Sequence, residues 1–243
     1  MDISIFRRPE RSEQVTFVYR RARLILFHMS RIAESRTGFI LAGGKSSRMG
    51  ANTDKAFLDF GGQSLLDRAL KVMGAVCGTV TIVGDPAKFA KYESTKSGPM
   101  KSGSTRYVSA VADIFPGCGP LAGIHAALLH SSAELNLMLA VDMPFVSSEL
   151  LRFLFATAEG DNNRAIITVP RSGRGLQPLC AVYRRGFSAA AERALRAGKY
   201  KIDAVFSNVV TRVITESELA AAGFSERSFF NVNTQQDLAA LSE

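Results

Sequence analysis

An α/β fold with a mainly parallel twisted sheet is what this chain predicts, on three observations. From residue 38 onward, short apolar runs alternate with segments whose apolar residues recur at helical spacing. The first run, Phe39 to Ala42, is cut off by Gly43-Gly44 and followed by a small-residue loop carrying Lys45, Arg48 and Lys55. A later run, Asn136 to Val141, ends in the carboxylate of Asp142. Open α/β sheets place their ligands outside the carboxyl ends of the strands, so the glycine loop and Asp142 are expected to share a site.

The loop reads as a phosphate loop at the end of a buried strand. Glycines at 43 and 44 remove side chains where backbone must approach a ligand closely or adopt positive φ, which lets successive N–H groups point at one anion. Arg48 offers a planar fork of donors suited to phosphate oxygens, and Lys55 a compact point charge. Two glycines alone would suit a plain strand-to-helix turn with solvated cations, but three cations in the same loop favour an anionic ligand. It is neither a Walker loop, lacking the Gly-Lys-Ser/Thr ending, nor a dinucleotide fingerprint, lacking G-x-G-x-x-G.

Residues 1–36 are rich in arginine and poor in periodicity, and are expected to be a basic, partly disordered extension, with Met29 as an alternative start. Ser64 to Val76 carries Leu65, Leu66, Ala69, Leu70 and Met73 at helical spacing, with Ser64 as candidate N-cap. Thr79 to Val83 is β-branched and strand-like, ended by Gly84-Asp85-Pro86. Lys91 to Ser104 reads as a surface loop and Arg106-Tyr107-Val108 as a short strand. Asp113 to Gly123 forms a glycine- and proline-rich loop leading into a helix over Ile124 to Leu129, on which His125 is expected to pack or face solvent. Asp142 could cap the next helix, but Ser147 or Ser148 stands nearer, which leaves its hard oxygens for Mg²⁺.

In the second half, strands are expected over Ala165–Val169 and Leu179–Tyr183, around a flexible basic loop from Arg171 to Pro178. Helices are expected over Phe187–Arg196 and Ile202–Phe206, strands over Val209–Ile214 and Phe229–Val232, and a last helix over Gln235–Leu241 capped by Thr234.

Composition narrows the function further. The net charge of +8 invites a nucleic-acid reading, yet three of those charges lie in residues 1–28, and the aromatics sit in apolar runs rather than among the basic residues. The remainder favours anionic small ligands over a nucleic-acid groove. Cys77, Cys118 and Cys180 have neither metal spacing nor a disulfide framework, as expected of reduced thiols in a cytoplasmic protein. No apolar run approaches a membrane span.

The pattern Leu41-Ala42-Gly43-Gly44-x-Ser46-x-Arg48-Met49-Gly50, then Asp54-Lys55, resembles the signature of the molybdenum cofactor guanylyltransferases. The similarity returns in Gly119-Pro120-Leu121-Ala122-Gly123, in Val141-Asp142-Met143-Pro144-Phe145 and in Phe230-Asn231-Val232-Asn233-Thr234. The resemblance implies a Rossmann-like three-layer α/β/α fold of the nucleotide-diphospho-sugar transferase kind. It also implies one nucleotidyltransferase domain over 37–243, with a GTP- and Mg²⁺-binding half at 37–145 and a molybdopterin-binding half at 146–243.

The implied reaction is attack by the terminal phosphate of Mo-molybdopterin on the α-phosphorus of GTP, giving the guanine dinucleotide and pyrophosphate. The resemblance assigns Arg48, Lys55 and Asp142 to catalysis, and Leu41, Ala42, Gly43, Gly44, Lys55, Gly84, Asp113 and Asp142 to GTP. Asp142 and Asn233 would hold the metal, with Asn231 as second choice. Gln177, Pro178, Lys199, Lys201 and Asn231 are candidates for the pterin. Position 84 is glycine where some members carry asparagine, so contact there is through backbone. Gly43, where cytidylyl relatives tend to carry alanine, leaves room for a purine edge. Transient partners are expected among proteins that deliver molybdopterin or mature molybdoenzymes. The alternatives are a molybdopterin cytidylyltransferase, another sugar-phosphate or alcohol nucleotidyltransferase, and a catalytically inactive nucleotide-binding protein on the same fold.

Overall fold

The computed structural model describes residues 36–43, 54–92, 106–162, 164–232 and 237. Residues 1–35, Gly44, Lys45, Arg48, most of the 91–104 loop, Asn233, Thr234 and nearly all of the expected last helix lie outside them.

Four strands form the parallel core: β1 (Thr37–Leu41), β2 (Thr79–Val83), β3 (Arg106–Val111) and β4 (Leu135–Ala140), in the order β3-β2-β1-β4. The sheet then changes direction. β7 (Cys180–Arg184) lies antiparallel to β4, and β5 (Ile167–Ser172) antiparallel to β7. β8 (Thr211–Ile214) runs parallel to β5, and β6 (Gly175–Leu176) closes a hairpin on the end of β5. The eight strands make one mixed sheet, so both halves of the chain share it.

Successive side chains of a strand point to opposite faces, and both faces of this sheet are covered. Ile40, Leu137, Leu139, Cys180 and Val182 face one layer, built from α1 (Leu65–Gly74), α4 (Ser148–Gly160) and α7 (Glu216–Ala221). Phe39, Met138, Ala181 and Tyr183 face the other, built from α3 (Pro120–His130), α5 (Phe187–Arg196) and α6 (Asp203–Phe206). Burial on both sides explains why these strands read as unbroken apolar runs rather than alternating ones. The short α2 (Pro86–Phe89) follows β2, capped by the Asp85 carboxylate.

The caps fall where the sequence places them. Ser64 Oγ accepts from the Asp67 amide at the start of α1, and Ser147 Oγ from the Leu150 amide at the start of α4. Asp142 is therefore free of any capping duty, as expected. Three expectations differ. α3 starts at Pro120 rather than Ile124, because proline suits the first turn of a helix. The expected 171–178 loop is instead the end of β5, a tight turn and β6, with the Gln177 amide donating to Pro170 O at 2.8 Å. Phe229–Val232 is not a strand: a 3-10 turn over Glu226–Phe229 leads into an extended stretch whose Val232 amide donates to Asp142 O at 2.9 Å. The short α7, which the sequence reading passed over, is held by a reciprocal capping box between Thr215 and Glu218.

Candidate active site

The carboxyl ends of β1, β2 and β4 splay over one cavity. Backbone ties fix its rim: the Ala42 amide donates to Val83 O at 2.9 Å, Val141 to Leu41 O at 3.2 Å, and Ala140 to Leu179 O at 2.7 Å. Into this frame the structure brings Leu41, Ala42, Gly43, Lys55, Asp113 and Asp142, six residues proposed from sequence. Asp54, Val83, Ala140 and Val141, the glycines and proline at the start of α3, and Leu179 ahead of β7 complete the lining. Leu179 escaped the sequence reading because only the antiparallel pairing of β7 with β4 carries it there.

Asp142 follows β4 and is half-buried, with its backbone carbonyl fixed by Val232. Lys55 opens a 3-10 turn over Lys55–Phe57, which Asp54 caps by accepting from the Ala56 amide at 3.1 Å. From there Lys55 Nζ reaches Asp142 Oδ2 at 3.2 Å. A metal-ligand candidate and a candidate phosphate-binding cation are thus in direct contact in the cavity lining. Asn231 precedes Val232 and is carried alongside Asp142 by that backbone bond; its side-chain carbonyl oxygen is buried, with no hydrogen-bond partner among the described residues. A carboxylate and an unsatisfied amide oxygen are each hard donors of the kind a divalent cation takes, although of the two only Asp142 lines the cavity.

Asp113 points a half-buried carboxylate into the cavity. Burial pushes its pKa up from the usual carboxylate range, and Oδ1 has no partner among the described residues. A buried acceptor without a donor is costly, so this oxygen is suited to N–H or O–H groups of a ligand.

The glycines have distinct reasons. Gly43 does not occupy the positive-φ region; a Cβ there would stand 3.7 Å from Gly84 Cα and 4.0 Å from Asp113 Oδ2, so glycine at 43 keeps cavity space open. At Gly84 a Cβ would come within 2.8 Å of the Phe89 ring and 3.4 Å of the Gly43 nitrogen. No side chain fits there, which leaves position 84 backbone only. Gly119 caps α3 with φ 75°, a conformation costly for any other residue. It supplies no side-chain cap; Pro120 has no N–H and the Ala122 amide donates to Gly119 O at 3.1 Å, so what the start of α3 turns toward the cavity is chiefly the positive end of its dipole.

The acceptor-side candidates are not gathered in this way. Gln177 is held by its amide, which donates to Ser172 Oγ at 2.8 Å, and Pro178 O accepts from the Tyr183 hydroxyl at 2.8 Å. These two bonds orient the chain that delivers Leu179 to the cavity wall. Lys199 and Lys201 are exposed on the turn between α5 and α6, where Tyr200 lies against Cys118. That turn borders the loop before α3 and does not line the cavity. His125 is buried against Phe115, with ring centroids 5.4 Å apart, and desolvation lowers its pKa. It is a packing residue. The three cysteines are unpaired thiols, and burial raises those of Cys77 and Cys180 to about 12. No helix among the described residues is long and apolar enough to cross a membrane.

Known proteins resemble this chain in sequence and fold. A family model described as a MobA-like NTP transferase domain matches residues 38–213. A protein of Pelotomaculum thermopropionicum named "Probable molybdenum cofactor guanylyltransferase" is 39% identical over 83% of this chain and 89% of its own length. A Desulfosudis oleivorans protein named "Molybdenum cofactor guanylyltransferase" is 32% identical over 83% and 92%. The crystal structure of molybdopterin-guanine dinucleotide biosynthesis protein A from Archaeoglobus fulgidus superposes with a TM-score of 0.66 at 26% identity, covering 84% of this chain and 95% of that one. With the match spanning most of both β1 through β8 and the cavity between them, the chain belongs to the MobA-like NTP transferase family and is a nucleotidyltransferase.

Proposed function

We propose that the protein transfers GMP from GTP to the terminal phosphate of Mo-molybdopterin, giving the guanine dinucleotide and pyrophosphate. The observation that carries this reading is the meeting of Lys55, Asp142 and Asp113 at the carboxyl ends of β1, β2 and β4, in a chain 39% identical to a protein named for that activity.

A phosphate oxygen of the acceptor forms a bond to the α-phosphorus while the bond from that phosphorus to the bridging oxygen of pyrophosphate breaks. Such a displacement needs in-line positioning and charge neutralisation, and no covalent enzyme intermediate. Asp142 and Asn231, with Asn233 from outside the described residues, would hold Mg²⁺, which when bound neutralises the phosphate oxygens as negative charge shifts to the leaving group. Lys55 then exchanges its carboxylate partner for the β- and γ-phosphates and stays with the departing pyrophosphate, joined by Arg48. The start of α3, with Gly119, Pro120 and Gly123, and the backbone of Leu41, Ala42 and Gly43 border the nucleoside. The unpartnered Asp113 oxygen accepts from its base or ribose.

Proteins that deliver molybdopterin, or receive the dinucleotide, would dock transiently at the acceptor side. The three unpaired thiols suit a cytoplasmic setting, where thiols stay reduced.

Thermal denaturation with GTP, CTP, ATP or UTP, each with Mg²⁺, tests the nucleotide part. A ligand that binds only the folded state stabilises it by RT ln(1 + [L]/Kd). GTP is expected to raise Tm most; stabilisation by CTP or UTP without GTP overturns the guanylyl assignment.

A further inference from the structure

Three aromatic rings form a row beside the proposed metal site, and each carries a guanidinium on one face. Phe60 and Phe145 meet edge to face with centroids 5.5 Å apart, and Phe145 and Phe230 at 6.3 Å. Arg68 lies over Phe60 at 5.0 Å, Arg227 over Phe145 at 4.6 Å, and Arg174 over Phe230 at 5.0 Å. The rings come from three separate segments: two also supply a residue to the cavity lining, and the third is tied to Asp142 by the Val232 backbone bond. Phe60 follows Lys55, Phe145 follows Asp142, and Phe230 precedes Asn231. The row is therefore anchored to the same backbone that fixes the metal-binding groups, including the bond from Val232 to Asp142.

The charges are unusual for a merely structural cluster. Among the described residues neither Arg68 nor Arg227 has a carboxylate in ion-pair range, and Arg174 meets Glu226 only at 3.9 Å. Arg68 Nη2 donates to Phe60 O at 3.4 Å, while its buried Nε has no partner among the described residues. A guanidinium stacked on a ring keeps its in-plane N–H groups free, and the ring excludes water from one side, which strengthens their attraction to an anion. Phosphate oxygens fit such donors in bidentate fashion.

We infer that this row is the acceptor subsite: Arg68, Arg174 and Arg227 grip the terminal phosphate of the acceptor, and Phe60, Phe145 and Phe230 flank its flat heteroaromatic body. The inference rests on the proposed function and relocates the acceptor from Lys199 and Lys201 to the segments around Asp142. Among the described residues Glu226 is the one carboxylate paired with the three arginines, and the arriving phosphate displaces it from Arg174.

The test follows molybdopterin binding by pterin fluorescence under anaerobic conditions, with GTP affinity and Tm measured in parallel on the full chain. Arg174 and Arg227 are exposed, so Arg174→Gln, Arg227→Gln and their double variant are chosen. Losing a charged hydrogen-bonded contact weakens binding by about tenfold or more. The expected result is a rise of that size in the acceptor Kd for each variant, larger in the double one, with GTP Kd and Tm unmoved. Partial rescue is expected from Arg227→Lys, which restores charge without the planar fork. Unchanged acceptor binding overturns the subsite, and so does a parallel loss of acceptor affinity, GTP affinity and Tm, the mark of a packing role alone. A wild-type protein that binds GTP but no molybdopterin overturns the proposed function itself.

Discussion

Lys55 Nζ lies 3.2 Å from Asp142 Oδ2, joining the turn after the glycine loop to the end of β4 across 87 residues of chain. Both side chains are about one-fifth exposed, so the pair is shielded yet open to the cavity. The two groups sit as a compensated pair that a metal-bound triphosphate can separate without leaving either charge alone.

From this follows the effect of Asp142→Asn. The amide keeps the size and one oxygen but removes the charge that balances Lys55 and would bind the metal. Pyrophosphate release should fall by about 100- to 1,000-fold, the scale of removing a pre-set electrostatic group. Circular dichroism should stay unchanged, because Asp142 caps no helix. Turnover within a few-fold of wild type would remove Asp142 from the metal site.

Gly43→Ala should shift nucleotide preference. The added methyl enters the space between Gly84 and Asp113 without hitting backbone, since its nearest neighbour is 3.7 Å away. The fold should tolerate it, with Tm within a few degrees of wild type. The kcat/KM for GTP should fall relative to that for CTP, by about tenfold if the methyl meets the purine edge. Competition kinetics with both nucleotides measure the ratio directly.

Gly84→Ala should destabilise instead. Its Cβ would stand 2.8 Å from the Phe89 ring, which is itself buried, so the ring or α2 must shift. Overpacking of this kind costs about 1–3 kcal/mol, read as a lower urea midpoint with an unchanged m-value.

Asp113 gives a pH signature. Burial raises its folded-state pKa above the unfolded one, so protonation favours the fold. Its stability contribution is fully present below the ordinary carboxylate pKa and is lost as pH rises through the raised folded value. Asp113→Asn should remove that loss: the variant should gain Tm relative to wild type on going from about pH 4 to pH 7. The same variant should bind GTP more weakly, because an acceptor oxygen is replaced in part by a donor. A Tm difference that stays constant across that range would mean Asp113 does not titrate in the folded state as described.

Much of this fold was legible because burial on both sheet faces leaves plain marks. β2 and α5 fall on the residues their patterns predict, and Ser64 and Ser147 cap as expected. The direction of β7 was not legible, since an antiparallel and a parallel strand of Cys180–Arg184 have the same apolar pattern. The β5–β6 hairpin was hidden by arginines and glycines that read as loop, although Thr215 and Glu218 at capping-box spacing could have revealed α7. In the site, Asp142 and Lys55 stood out because a carboxylate at a strand end and a cation after a glycine loop have few other duties, whereas Leu41, Ala42 and Asp113 were reached through the family resemblance alone. The rings of Phe60, Phe145 and Phe230 did not, since a single phenylalanine near a strand end looks like core. Only the backbone bond from Val232 to Asp142 brings the third ring to the others.

The most direct measurement incubates the protein with molybdopterin, Mg²⁺ and GTP labelled at the α-phosphate. The label should appear in a pterin–guanine dinucleotide, with one pyrophosphate released per dinucleotide and the rate lowered about 100- to 1,000-fold in Asp142→Asn. Label that stays in GTP, or a dinucleotide formed from CTP in preference, would contradict the account.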